Sequence, residues 1–298
     1  MTGPGGAAAG AVYDRGYRPY EGPRGGRGAA AGAVYLTTLR RALGLRRSWR
    51  QKFLPWALLA IVTVPAAVNV GIAYVTRDTP ARTIEIITFR GYVGVSSSLL
   101  LFVALVAPDV LCPDRRNRFL SLIFARPLSG TDYALAKLAA IGSILFAFSF
   151  VPQLVLFVGQ MLVSKGGPLD YFGDNAEVLW QVPVAVTLLA LYYASFGLAV
   201  ASLTSRRIVA GASILGILLV SSSVAGILRG GDSSPAFEVV NLLGLPLYVR
   251  DIVFLNHLSR EFALSQYGTG EVLAVIAYIV VVVASLATLL WRYRWADG

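Results

Sequence analysis

Residues 178–203 read VLWQVPVAVTLLALYYASFGLAVASL, a run with no Asp, Glu, Lys, Arg or His. A helix rises 1.5 Å per residue, so such a run outlasts the roughly 20 residues needed to cross a hydrocarbon core of about 30 Å. It shows no two-residue alternation, which excludes a strand of a lipid-facing barrel. Lipid offers no partner for backbone N–H and C=O groups, so the run is expected to be a helix. Five further apolar windows are also long enough: Leu54–Val75, Val93–Cys112, Leu138–Val163, Ile208–Leu228 and Glu271–Trp291. The whole chain agrees. Of 298 residues, 56% are hydrophobic and 14% charged, with a mean hydropathy of +0.66. Soluble domains carry about 25% charged residues, and one core of this size could not hide so much apolar surface.

Six crossings place both termini on one side, and the basic residues say which. The segments sharing a side with the termini (1–53, 113–137, 204–207 and 292–298) carry 19 Lys and Arg, against 7 in 76–92, 164–177 and 229–270. Acidic residues run the other way, 6 against 10, counting Asp109 and Glu271 with their nearer sides. Both termini are therefore expected in the cytoplasm. This bias accounts for the net charge of +10 without invoking nucleic acid. No cleavable signal is expected, since the first apolar run begins after residue 53 and is long enough to stay in the bilayer.

The single Cys112 excludes a disulfide framework, and His257 as sole histidine leaves a His-ligated metal or a His-based triad without partners. Residues 1–33 hold 10 Gly and 8 Ala and are expected to be a disordered cytoplasmic tail. Its Tyr13-Asp14-Arg15-Gly16-Tyr17-Arg18-Pro19-Tyr20 stretch reads as a docking peptide or as a plain basic tail. Residues 34–53 read as one amphipathic helix on the inner leaflet. Tyr35, Leu39, Ala42, Trp49 and Phe53 share a face there, while Arg40, Arg41 and Arg47 point elsewhere.

Between the second and third spans, the loop 113–137 carries the most informative pattern. Pro113 and Asp114 read as the start of a short helix and Pro127 as its stop. Phe119, Leu122 and Ile123 form an apolar knob, Arg115, Arg116 and Arg118 gather near its beginning, and Ser129 or Thr131 can cap the next helix. A helix of this kind is suited to seat in a groove of another protein. An ordinary loop helix covering the ends of the spans is the competing reading.

The order Asp114, Leu120, Leu122, Ile123, then Arg126-Pro127-Leu128-Ser129 and Lys137, ten residues after the proline, resembles the coupling-helix region of type-2 ABC transporter permeases, including a bacterial subgroup with a similar tyrosine- and arginine-rich tail. The sequence departs from that pattern at Arg118 and Phe119, at Ser121 and at Gly130. The resemblance implies an exporter permease in the bacterial inner membrane. Its coupling segment (Asp114, Arg115, Arg116, Arg118, Phe119, Leu120, Leu122, Ile123, Arg126, Pro127 and Lys137) would engage two copies of a separate P-loop ABC ATPase, and a second permease chain would complete the pathway. Lys52, Lys137 and Lys165 lie in no Gly-Lys-Ser/Thr phosphate loop. ATP and magnesium are thus expected in the partner subunit, and no cofactor, metal or catalytic residue in this chain.

No charged residue falls well inside a span, which argues against a proton relay or ion-coupled carrier. Asn69, Ser96, Ser97, Ser98, Ser221, Ser222 and Ser223 are polar positions in spans that the resemblance places beside the pathway; close helix packing explains small hydroxylated residues equally well. The outer segment 229–270 suggests two short re-entrant or interfacial helices, at Pro235–Leu245 and Leu247–Leu258. His257 lies there, as a surface residue or a pH-sensing gate. The expected architecture is an all-α membrane protein with six transmembrane helices, both termini inside, an N-terminal interfacial helix (34–53), and a permease domain (54–298). Two other classes stay open. A membrane scaffold recruiting a cytoplasmic partner would purify without an ATPase, and a multi-span enzyme would need convergent reactive groups at one depth.

Overall fold

The computed structural model describes residues 25–45, 49–76, 88–93, 96–117, 119, 123–124, 127–229 and 234–294, with the backbone alone at 49–52, 54–55, 93 and 96–97. Among these residues there is no strand. The α-helices are α1 (Arg27–Ala42), α2 (Trp49–Thr76), α3 (Phe89–Val93), α4 (Ser96–Arg116), α5 (Gly130–Val163), α6 (Pro168–Asp174), α7 (Val178–Leu203), α8 (Arg207–Arg229), α9 (Leu245–Leu255) and α10 (Gly270–Arg294). Short 3-10 turns occupy Pro235–Val240 and Ala263–Gln266.

Five helices, α2, α5, α7, α8 and α10, are long and apolar enough to cross a membrane. The α4 helix has 21 residues, but Asp109, Asp114, Arg115 and Arg116 fall in its C-terminal half. The α7 helix forms the axis, packed by α4, α5, α8, α9 and α10. Its Leu189, Leu198 and Ala201 are wholly buried, as expected of a helix apolar on all sides. The α2 helix leans mainly on α5, and α8 on α4 and the turn 235–240. Both leave apolar rows outside: Ile61, Val64, Val68 and Ile72 on α2, and Ile217, Val220, Val224 and Ile227 on α8. Surface of that extent and chemistry suits acyl chains rather than water.

Close helix approach is set by glycines. A Cβ on Gly211 of α8 would stand 2.7 Å from the Ala104 carbonyl oxygen of α4, whereas one on Gly216 would meet nothing within 4 Å. Gly211→Val is expected to force these helices apart at a cost of about 1–3 kcal/mol, and Gly216→Ala to be neutral or stabilising by up to about 1 kcal/mol. Thermal unfolding of the detergent-solubilised protein checks both; equal midpoints for the two variants would refute the close approach.

Several expectations are corrected. Residues 34–53 are not one helix: α1 starts at Arg27, within the expected tail, and ends before Gly44, whose φ of 67° suits glycine and turns the chain toward α2. Trp49 and Phe53 therefore belong to α2 and share no face with Tyr35 and Leu39. The α1 helix packs on protein as well, burying Thr38 and Ala42 against the bundle, while Tyr35 donates a hydrogen bond to Ser143 Oγ at 3.1 Å. Pro113 and Asp114 start no helix; they lie inside α4. The helix expected to start at Leu138 begins at Gly130, fixed by a capping box in which Ser129 Oγ accepts from Asp132 N and Asp132 Oδ2 from Ser129 N, both at 3.2 Å. Of the outer helices, the first is a 3-10 turn of six residues, and the second begins at Leu245 rather than Leu247, with Pro246 in its first turn.

Candidate functional site

The helix ends divide by charge. Arg27, Arg40, Arg41, Arg115, Arg116, Lys137, Arg206, Arg207, Arg292 and Arg294 gather at one end, with Asp109, Asp114 and Asp132 as partners. At this basic end four helices meet around Asp114, only 6% exposed. Its Oδ2 accepts from Lys137 Nζ and from the Tyr133 hydroxyl, each at 2.7 Å, and its Oδ1 from Arg41 Nη1 at 2.8 Å. Lys137, 4% exposed, also donates to the Val110 carbonyl at 2.9 Å. Tyr133 packs on Tyr293 of α10, ring centroids 5.1 Å apart. Asp114 is thus held by three donors, one from α1 and two from α5.

Further pairs brace the same end. Arg27 and Asp132 join α1 to α5 at 2.6 Å, Arg207 pairs with Asp109, and Arg115 donates to the Ser202 carbonyl at the end of α7. Asp114, Lys137 and Arg115 are thus internal fasteners and not parts of a docking face. What faces outward just beyond α4 is Arg116, Asn117, Phe119 and Pro127, Phe119 being 47% exposed. Ile123 and Phe124 are half-buried and pack on the core. The backbone keeps helical character there, Ile123 N donating to Phe119 O at 3.1 Å. Arg118, Leu120, Leu122 and Arg126 lie outside the described residues, as do Arg47 and the tail 1–24. Arg40 is exposed on α1, and the side chain of Trp49 lies outside the description.

Between α1 and the 119–128 segment opens a cavity of about 330 Å³, lined by Ala30, Ala33, Val34, Thr37, Thr38, Phe119, Ile123 and Leu128, with Arg41, Asp114, Tyr133 and Lys137 as its polar members. Sequence reasoning singled out Arg41, Asp114 and Lys137 individually but missed that they meet; Tyr133 it missed outright. The one available signal was the alignment of Asp114 and Lys137 on two successive helices, each near its charged end.

The polar span residues are mostly occupied internally. Asn69 is 7% exposed and its Oδ1 accepts from Gln160 Nε2 at 3.5 Å, while Tyr171 donates to Gln160 Oε1 at 2.7 Å. Ser221 donates to Leu218 O and accepts from Leu242 N, so it anchors the outer segment. Ser223 is exposed and donates to Leu219 O; Ser222 and Ser98 are half-buried, and the side chains of Ser96 and Ser97 lie outside the description.

The other end carries a cap stitched over α7, α8 and α10. Glu238, 4% exposed, accepts from Leu264 N at 2.6 Å and from Arg229. Asp251 is paired by Arg250 at 2.6 Å and by Arg90 at 3.4 Å. Tyr248 accepts from Asn241 Nδ2 at 3.2 Å, and burial pushes its phenol up to about 12. His257 is exposed, one ring nitrogen 2.7 Å from the Leu255 carbonyl oxygen.

Among the described residues no group of three His, Cys, Asp or Glu stands together as metal ligands would. Asp114, Lys137 and Tyr133 do converge, the carboxylate accepting from both of the others while Lys137 also donates to Val110 O. Beside this ion-paired cluster Phe119 and Arg116 face outward. No protein-family model matches the chain, and no curated protein matches it.

Proposed function

We infer that this chain is the membrane subunit of an ATP-driven exporter, whose motor is a separate P-loop ATPase that grips the segment following α4. The observation carrying this reading is mechanical. Phe119 and Arg116 protrude from a segment tied through Asp114 to α1, α4 and α5, so a force applied there reaches three long helices at once. Closure of the motor on nucleotide supplies the differential free energy, since only contacts that differ between its two states can shift the bundle.

In this reading α4 is the second of six spans, the basic end faces the cytoplasm, and the membrane is a bacterial inner membrane. The outward apolar rows of α2 and α8 support a second permease chain completing the pathway, with lipid covering the remainder. ATP and magnesium belong to the motor.

The test purifies the full chain from the membranes of its own cells and asks whether a P-loop ATPase accompanies it. Phe119→Ala with Ile123→Ala is expected to lower substrate-stimulated ATP hydrolysis at least tenfold while membrane insertion is unchanged. Because Ile123 packs inward, Phe119→Glu alone, at the exposed position, is expected to abolish co-purification of the ATPase. Unaltered co-purification and stimulation in both variants would refute the coupling role, and a chain that captures a partner other than an ATPase through this surface would establish the scaffold reading.

A further inference from the structure

The geometry points to a binding site for one anionic phospholipid in the cavity beneath α1, its phosphate on Arg41 and its acyl carbons along Val34, Phe119, Ile123 and Leu128. At about 330 Å³ the cavity reaches the lower end of the range that holds small ligands. Among the described residues its walls are apolar apart from two threonines, and its polar floor is unbalanced. Arg41 and Lys137 bring two positive charges, Asp114 one negative, and that carboxylate is already taken by Arg41, Lys137 and Tyr133. Within this floor Arg41 Nε is buried and donates to nothing.

A buried guanidinium N–H without an acceptor is costly, and a phosphate oxygen is the acceptor a guanidinium fits best. The Arg41 side chain is 22% exposed, so water reaches its outer nitrogens, but Nε points inward, where a lone buried water would find few polar partners among the described residues. The lipid source follows from the surroundings. On α1, Leu36 is 50% exposed and Leu45, just beyond it, 40%, so this helix lies where apolar side chains meet acyl chains. The same end concentrates the arginines that draw anionic headgroups. The site does not depend on the exporter reading, since it requires only that the basic end border a leaflet.

Native mass spectrometry of the full chain, delipidated in detergent and then offered defined lipids, tests it. One phosphatidylglycerol per chain is expected to survive activation that strips the remainder, with phosphatidylcholine retained at least tenfold less. Arg41→Gln removes the phosphate partner, and Ala33→Phe fills the cavity while leaving the Arg41–Asp114 pair intact. Both are expected to lower retention at least tenfold, while Arg294→Gln, an exposed arginine at the same end, retains the lipid. Should Arg41→Gln fail to fold, Ala33→Phe decides alone. Retention unaffected by these two variants, equal retention of phosphatidylcholine, or displacement of the lipid by millimolar inorganic phosphate would each overturn the assignment. The exporter reading is left untouched by any of these results, because its own test reads ATPase capture at Phe119.

Discussion

Replacing Asp114 with alanine is expected to cost about 3–5 kcal/mol of stability, the usual consequence of removing one partner from a buried ion pair. The size follows from what stays behind. Lys137 is 4% exposed and keeps only the Val110 carbonyl as partner, and the Tyr133 hydroxyl loses its acceptor. Arg41 suffers less, because its side chain is 22% exposed and can turn toward water. The converse substitution, Lys137→Met, should cost less than Asp114→Ala, since the carboxylate keeps Arg41 and Tyr133. The double variant Asp114→Leu with Lys137→Met should be more stable than Asp114→Ala alone, because an apolar pair has no charge left to solvate. Unfolding midpoints in detergent provide the measurement, and strictly additive losses would show that the two side chains do not depend on each other.

The second large effect is expected at the opposite end. Glu238→Ala removes a carboxylate that accepts the buried Leu264 N–H at 2.6 Å and holds Arg229, and the loss should be about 2–3 kcal/mol. Glu238→Gln keeps an oxygen for Leu264 N–H and should lose about half as much. The damage should be local, since the cap also hangs on independent ties: Tyr192 hydroxyl to Leu242 O at 2.6 Å, Leu242 N to Ser221 Oγ at 3.2 Å and Leu258 N to Glu271 at 3.3 Å. Hydrogen exchange should accordingly speed up across 235–266 while α5 and α7 keep their protection. Exchange accelerated equally everywhere would mean that Glu238 serves the whole bundle and not its cap.

The spans were readable residue by residue because transfer into lipid is nearly additive along a helix. Val178–Leu203 was delimited from its apolar run alone, and the fifth and sixth windows fall within a few residues of α8 and α10. The same additivity misplaced the charged ends. Lys137 and Asp114 look like water-facing residues on any hydropathy scale, so hydropathy alone starts the third span after Lys137 and a new helix at Pro113. In the fold each charge supplies the other's solvation at 2.7 Å, and both stay inside their helices. Likewise, the arginines and apolar residues of 34–53 satisfy a helical pattern, yet one left-handed glycine at 44 cuts the pattern in two.

Sequence by itself determined that this is a helical chain rich enough in apolar segments to live in a bilayer, because burial of nonpolar surface depends on composition and period. Only the tertiary structure decided which charges are fasteners and which are exposed for a partner. Arg41, Asp114 and Lys137 are separated by 73 and 23 residues along the chain and meet through the packing of α1, α4 and α5, while Phe119, a few residues from that knot, remains 47% exposed. Coulomb energy and desolvation depend on distance in space, and that distance is set by helix packing instead of by position along the chain.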